Sequence, residues 1–132
     1  MEKHIFIRIT DESLIFIKVK VNKSALNLAL DTGATDTVID TTALLLANCA
    51  LLLRKIKPLL ETASAIVTAE LYELDTFISL GIQRNNFQVR AYDLVGNGVL
   101  TEIDGVLGLD FFENHRCCVN LGLHEITITP SR

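Results

Sequence analysis

The residues whose types and spacing suggest chemistry are Asp31, Thr32 and Gly33, which end the run Leu26-Asn27-Leu28-Ala29-Leu30. In an extended chain alternate side chains share a face, so Leu26, Leu28 and Leu30 form one apolar side of a strand. That strand stops at an acid, a hydroxyl and a glycine. Gly33 admits backbone conformations closed to other residues and lets another chain come close. A carboxylate placed there is held at the floor of a structure, where it can exchange a proton in fixed geometry. The plain alternative is a turn, capped by Asp31, in which Gly33 supplies a positive φ. An apolar-apolar-glycine triplet, Val106-Leu107-Gly108, lies well downstream and precedes a short helical pattern.

Composition narrows the partners. The chain has 132 residues, 49% of them hydrophobic, and a formal net charge of -4. That suits one domain over 1–132 with a substantial core and argues against disorder. Without a basic, aromatic-studded patch, no nucleic acid is expected as a partner. The longest apolar run, Ala43 to Leu53, is broken by Asn48 and is too short to span a bilayer, so no membrane is expected either. No secretory signal is visible, which makes a cytoplasmic location the default. Cys49, Cys117 and Cys118 show no zinc spacing, and His4, His115 and His124 are scattered. No metal and no cofactor are expected, and the cysteines read as buried reduced thiols.

Short alternating segments must position Asp31. His4 to Thr10 places Ile5, Ile7 and Ile9 on one face. Leu14 to Val21 sets Ile17, Val19 and Val21 against Lys18 and Lys20. After a turn at Asn22-Lys23-Ser24, Ala25 to Leu30 returns as the strand carrying Asp31. Asp40, Thr41 or Thr42 can cap a well-buried helix over Ala43 to Leu53. Thr62 to Thr68 suits a hairpin arm. Glu70 to Leu80 is a strand, Gln83-Arg84-Asn85-Asn86 a turn, and Phe87 to Leu94 another strand. Asp104 is a turn residue before the buried run to Leu109. Asp110 to His115 is a short helix. Cys117 to Leu121 and Glu125 to Thr129 form a last hairpin. Many short strands with one or two short helices make the expected fold all-β, a closed or nearly closed barrel.

The segment Asp31 to Ile39 resembles the active-site segment of retroviral-type (retropepsin-like) aspartic proteases. Val106-Leu107-Gly108-Leu109-Asp110 is similar to their second signature, which crosses behind the catalytic loop. The tail from Leu107 to Ile128, with Leu-Gly-Leu-Asp-Phe-Phe, His115-Arg116-Cys117 and Asn120, looks closest to the cellular and bacterial branch. That branch includes the protease-like domain of DNA-damage-inducible ubiquitin shuttle proteins. The resemblance implies a closed acid-protease barrel and an aspartic endopeptidase. In such enzymes two facing carboxylates share one proton and activate a water.

This chain has one Asp-Thr-Gly, so the enzyme implied is a homodimer with Asp31 from each copy as the catalytic pair. The resemblance further makes Thr32 and Gly33 supports of the site. It assigns substrate contacts to Ala34, Thr35 and Asp36, to Ser64, Ala65 and Ile66 of the flap counterpart, and to Val106 and Leu107. Ala34 stands where pepsin-like relatives usually have a serine hydroxyl, which implies a working pH nearer neutral. The flap counterpart, Thr62 to Thr68, has no glycine. The alternative is therefore a non-catalytic dimeric module of the same fold that binds extended peptide by strand addition. Ile5, Ile7 and Ile9, or Ile126 and Ile128, are open to two readings: strands joining two copies, or ordinary core.

Overall fold

The structure is a computed structural model that describes residues 2–6, 14–47, 52–54, 59–61, 66–68, 70–94 and 103–131. Among these, the strands are β1 (Glu2–Ile5), β2 (Phe16–Val21), β3 (Ser24–Leu30), β4 (Val38–Asp40), β5 (Leu52–Arg54), β6 (Leu59–Glu61), β7 (Ile66–Thr68), β8 (Glu70–Ser79), β9 (Ile82–Tyr92), β10 (Gly105–Leu107), β11 (His115–Asn120) and β12 (Glu125–Pro130). A helix, α1 (Thr41–Leu46), follows β4, and a 3-10 turn (Leu109–Phe112) follows β10.

The strand order β2-β3-β10-β4-β9-β8 closes through β8 on β2, giving a six-stranded barrel with β5 added to β8. Closure removes the free edges that an open sheet would expose. As the alternation requires, Ile17, Val19, Val21, Leu26 and Leu28 are buried while Lys18 and Lys20 are exposed. The β2–β3 turn falls at Asn22-Lys23, and Asn22 takes the positive φ that asparagine tolerates. β10 runs parallel to β3 and antiparallel to β4, so it is wedged between the strands on either side of the Asp31 loop. Gly105 is required there. A Cβ on it would meet the Val38 carbonyl oxygen and lie 2.8 Å from Ile39 Cα.

A second sheet, β1-β12-β11, packs on the barrel. Ile126 and Ile128 of β12 are buried and belong to the core with Phe77, Leu74, Leu28, Leu107 and Phe111. Phe77, Phe87 and Phe111 form a cluster with ring centroids 4.9 to 6.1 Å apart, the tilted and edge-on geometry that aromatic rings favour.

Several expectations are corrected. The helix over Ala43 to Leu53 is short: α1 ends at Leu46, and Leu52–Arg54 is strand β5 paired with β8. A continuous apolar run does not distinguish a buried helix from a strand. Nor is α1 well buried. Leu44 alone is buried, and Leu45 and Leu46 are exposed, because the helix lies outside the barrel against β4 and β9.

The turn expected at Gln83 to Asn86 lies instead at Leu80-Gly81, both with positive φ, the two-residue connection whose twist matches flanking strands. Asn86 also has positive φ, but in mid-strand. The burial phase of β8 changes opposite it, so that Leu74 and Phe77, three residues apart, both point inward.

At the N-terminus the reading of Ile5 as ordinary core is set aside. Ile5 is 82% exposed, whereas Phe6 is buried and stacks on His124 at 5.4 Å. Ile7 and Ile9 lie outside the described residues. The helix expected over Asp110 to His115 is the four-residue 3-10 turn, and His115 already belongs to β11. Cys118 is exposed and Cys117 half-buried, both free, because β11 lies on the outer sheet. Cys49 lies outside the described residues.

Candidate active site

Asp31 leaves the barrel at the end of β3, where the Leu107 carbonyl accepts its backbone N–H at 3.1 Å. Its own carbonyl accepts the Ala34 amide at 3.2 Å, which closes a tight turn. Within that turn the Gly33 N–H donates to Asp31 Oδ1 at 2.9 Å. The side chain is thereby aimed by the next residues of the loop while remaining exposed. Thr32, Gly33 and Thr35 are exposed too, and Ala34 and Asp36 half-exposed, so the tip of the loop presents a surface.

The back of the loop is built differently. Leu109 and Asp110 donate their backbone N–H groups to the carbonyls of Ala34 and Thr35 at 2.9 and 3.1 Å. In the other direction the Thr37 N–H donates to Asp110 Oδ2 at 3.0 Å, and the Thr37 hydroxyl lies 2.7 Å from Asp110 Oδ1. The Thr37 oxygen also accepts the Gly108 N–H at 3.1 Å. Gly108 has no room for a side chain, since a Cβ would stand 2.6 Å from the Asp36 carbonyl carbon and 2.9 Å from Thr37 N. That close approach explains why the apolar pair must be followed by glycine. Burial pushes the Asp110 carboxyl above its usual value. The Thr37 bonds pull it down but do not prevail, and the Asp36 charge pushes it further up.

Asp36 is fixed by Arg90 of β9, whose Nε donates to its Oδ2 at 3.0 Å. The Arg90 backbone N–H donates to the Thr37 carbonyl, also at 3.0 Å.

The residues expected at the site therefore divide. Asp31, Thr32, Gly33, Ala34, Thr35 and Asp36 are contiguous on the loop. Val106 and Leu107 lie directly behind it in β10, where Val106 is half-buried and Leu107 fully buried. Leu107, expected to touch substrate, offers no surface and holds Asp31 through its carbonyl instead. Ser64 and Ala65 lie outside the described residues. Ile66 begins β7, which pairs antiparallel with β6 as a hairpin arm.

Sequence reasoning missed the roles of Thr37, Asp110 and Arg90, partners that local spacing does not link. Asp104 also does more than turn the chain. Its carboxylate accepts the Asn27 N–H at 2.9 Å and its carbonyl accepts the Asp40 N–H at 2.7 Å, joining β3 to β4. Among the described residues no group of three or more His, Cys, Asp or Glu is arranged to hold a metal ion. No helix of the described residues is long and apolar enough to cross a membrane.

An aspartyl protease family model matches residues 17–111. Among solved structures, a retropepsin-like aspartic protease from Rickettsia conorii is similar to this chain, with 17% identity and a TM-score of 0.64. The match covers 90% of this chain and 85% of that one. At this identity the likeness is one of fold, a retropepsin-like barrel. No curated protein matches the chain significantly.

Proposed function

This chain belongs to the aspartyl protease family, and from that premise we propose that it is an endopeptidase acting through two Asp31 carboxylates, one from each of two copies. The observation that carries this is the setting of Asp31. Its loop is tied from behind, its carboxylate is at the surface, and one oxygen is already oriented by the Gly33 amide. The sequence contains one Asp-Thr-Gly, so a carboxylate pair requires a second chain about a two-fold axis.

Two facing carboxylates cannot both ionise and share one proton. The ionised member takes a proton from a water whose oxygen attacks the peptide carbonyl carbon, and the protonated member gives its proton to the carbonyl oxygen. Collapse of the tetrahedral intermediate returns a proton to the leaving nitrogen and breaks the C–N bond. Thr32 braces one loop against the other copy. Ala34, Thr35 and Asp36 line a groove for an extended peptide. The tail from Leu107 to Ile128 supports a place with the cellular and bacterial members of the family.

Cleavage of a peptide library from acid to neutral pH tests this, with wild type beside Asp31→Ala and sedimentation for oligomeric state. Wild type should cleave and Asp31→Ala should not, with both dimeric. A wild-type dimer that binds peptides but leaves them intact identifies the non-catalytic binding module instead.

A further inference from the structure

We propose that Asp110 is a positioning residue for Asp31. Its carboxylate, through Thr37, bolts the catalytic loop to the segment that crosses behind it. This rests on the endopeptidase reading for its effect on rate, but its geometry stands without it.

Three residues make the bolt. Both Asp110 oxygens face Thr37, one on its N–H at 3.0 Å and the other on its hydroxyl at 2.7 Å. When Asp110 is ionised the hydroxyl donates to it, and the same oxygen remains free to accept the Gly108 N–H at 3.1 Å. Every donor then has an acceptor. Protonation on Oδ1 turns an O–H toward the Thr37 oxygen and leaves the hydroxyl hydrogen without an acceptor in the trio, and protonation on Oδ2 sets a proton on the oxygen that receives the Thr37 N–H. The ionised carboxylate is the state that accepts from both Thr37 donors without either conflict, and it is the state that holds the network best.

The bolt matters to Asp31 because the two segments are already laced together. Leu107 receives the Asp31 N–H, and Leu109 and Asp110 donate to Ala34 and Thr35. A shift of Thr37 against Gly108 is thus passed to the turn whose Gly33 amide orients the catalytic carboxylate.

The charges around Asp110 come from three directions. From the loop there is Asp36, paired with Arg90 of β9. β9 also supplies Arg84, which donates to the carbonyls of Phe111 and Glu113. From the chain just beyond the 3-10 turn there is Glu113 itself. Asp36 acts against ionisation, so burial and a like charge both oppose the charge state that completes the network.

Thr37→Val keeps the branched shape and removes the hydroxyl, and Thr37→Ser restores it. Thr37→Val should lower kcat about tenfold with KM changed less than about twofold, while Thr37→Ser stays within about twofold of wild type. Independently of activity, the Gly33 amide resonance should show a pH step that Asp110→Asn removes and Asp31→Asn leaves. Should Thr37→Val fail to fold, the Gly33 signal in Asp110→Asn decides. A folded Thr37→Val with wild-type kcat, or a Gly33 titration untouched by Asp110→Asn, overturns the proposal. A wild type that cleaves nothing but shows the Asp110-dependent Gly33 step retains the bolt and removes the protease reading instead.

Discussion

Asp40 and Asp110 both turn their carboxylates onto backbone donors of the framework around the Asp31 loop, but they hold different things. Asp40 follows the loop in sequence and is 4% exposed. It accepts the Ala43 N–H at the start of α1 and the Leu94 N–H beyond β9, at 3.2 and 2.9 Å. Those are backbone donors of the scaffold. Asp110 is half-buried and accepts from Thr37, a residue of the loop itself. One aspartate joins a strand to a helix; the other joins the site to its support. Their environments also differ in consequence, since α1 exposes Leu45 and Leu46 whereas the 3-10 turn of Asp110 is anchored by the fully buried Phe111.

The contrast can be broken most forcefully at Gly108. Gly108→Ala places a methyl against the Asp36 and Thr37 backbone, which should cost about 3 kcal/mol or more in denaturant unfolding. A near-neutral result would mean that the two segments are not in rigid contact.

Asp40→Ala comes next. It removes a helix cap and leaves the buried Leu94 N–H unpartnered, for a loss of about 2–3 kcal/mol. The Gly33 amide resonance should stay where it is, which separates the scaffold aspartate from the loop aspartate.

Asp110→Asn should change stability in a pH-dependent way. The carboxyl is raised in the folded state, so the native protein binds its proton more tightly than the unfolded chain. This contribution to stability is fully present below the ordinary value of 3.8 and is lost as pH rises through the higher folded value. Asp110→Asn should therefore gain on wild type in melting temperature from strongly acid pH to neutral. Parallel curves would show that Asp110 does not titrate there.

The smallest expected effect is at the exposed tip. Ala34→Ser supplies a hydroxyl near the proposed carboxylate pair and should move the pH–rate optimum toward acid by less than about one unit. An unchanged optimum would show that the tip does not set the working pH.

Several features were legible because they depend on local alternation and turn chemistry. The β2–β3 hairpin, the strand ending in Asp31 and the last hairpin fall where period-two patterns and Asn or Gly turns place them. The Leu80-Gly81 turn was not legible, because a leucine with positive φ is disfavoured locally and is imposed by the twist of β8 on β9. The extent of α1 was not legible because a run apolar on every face but for Asn48 carries no clear period. Whether Ile5 is core was left open, because burial of the first strand depends on which face β12 presents.

At the site itself, residues 31–36 and the glycine of Val106-Leu107-Gly108 stood out as a compact pair of signatures. Thr37, Asp110 and Arg90 look unremarkable in isolation, since their partners lie 73 and 54 residues away. The amino-acid sequence alone determined the alternating strands, the single Asp-Thr-Gly and hence the need for a second chain if the carboxylates are to pair, because these follow from residue type and count. The Gly33 amide on the Asp31 carboxylate is local too, two residues along the chain, whereas only the tertiary structure decided that the loop is bolted by Asp110 at the back. Those contacts exist because barrel closure brings β10 between β3 and β4, and no local propensity encodes that proximity.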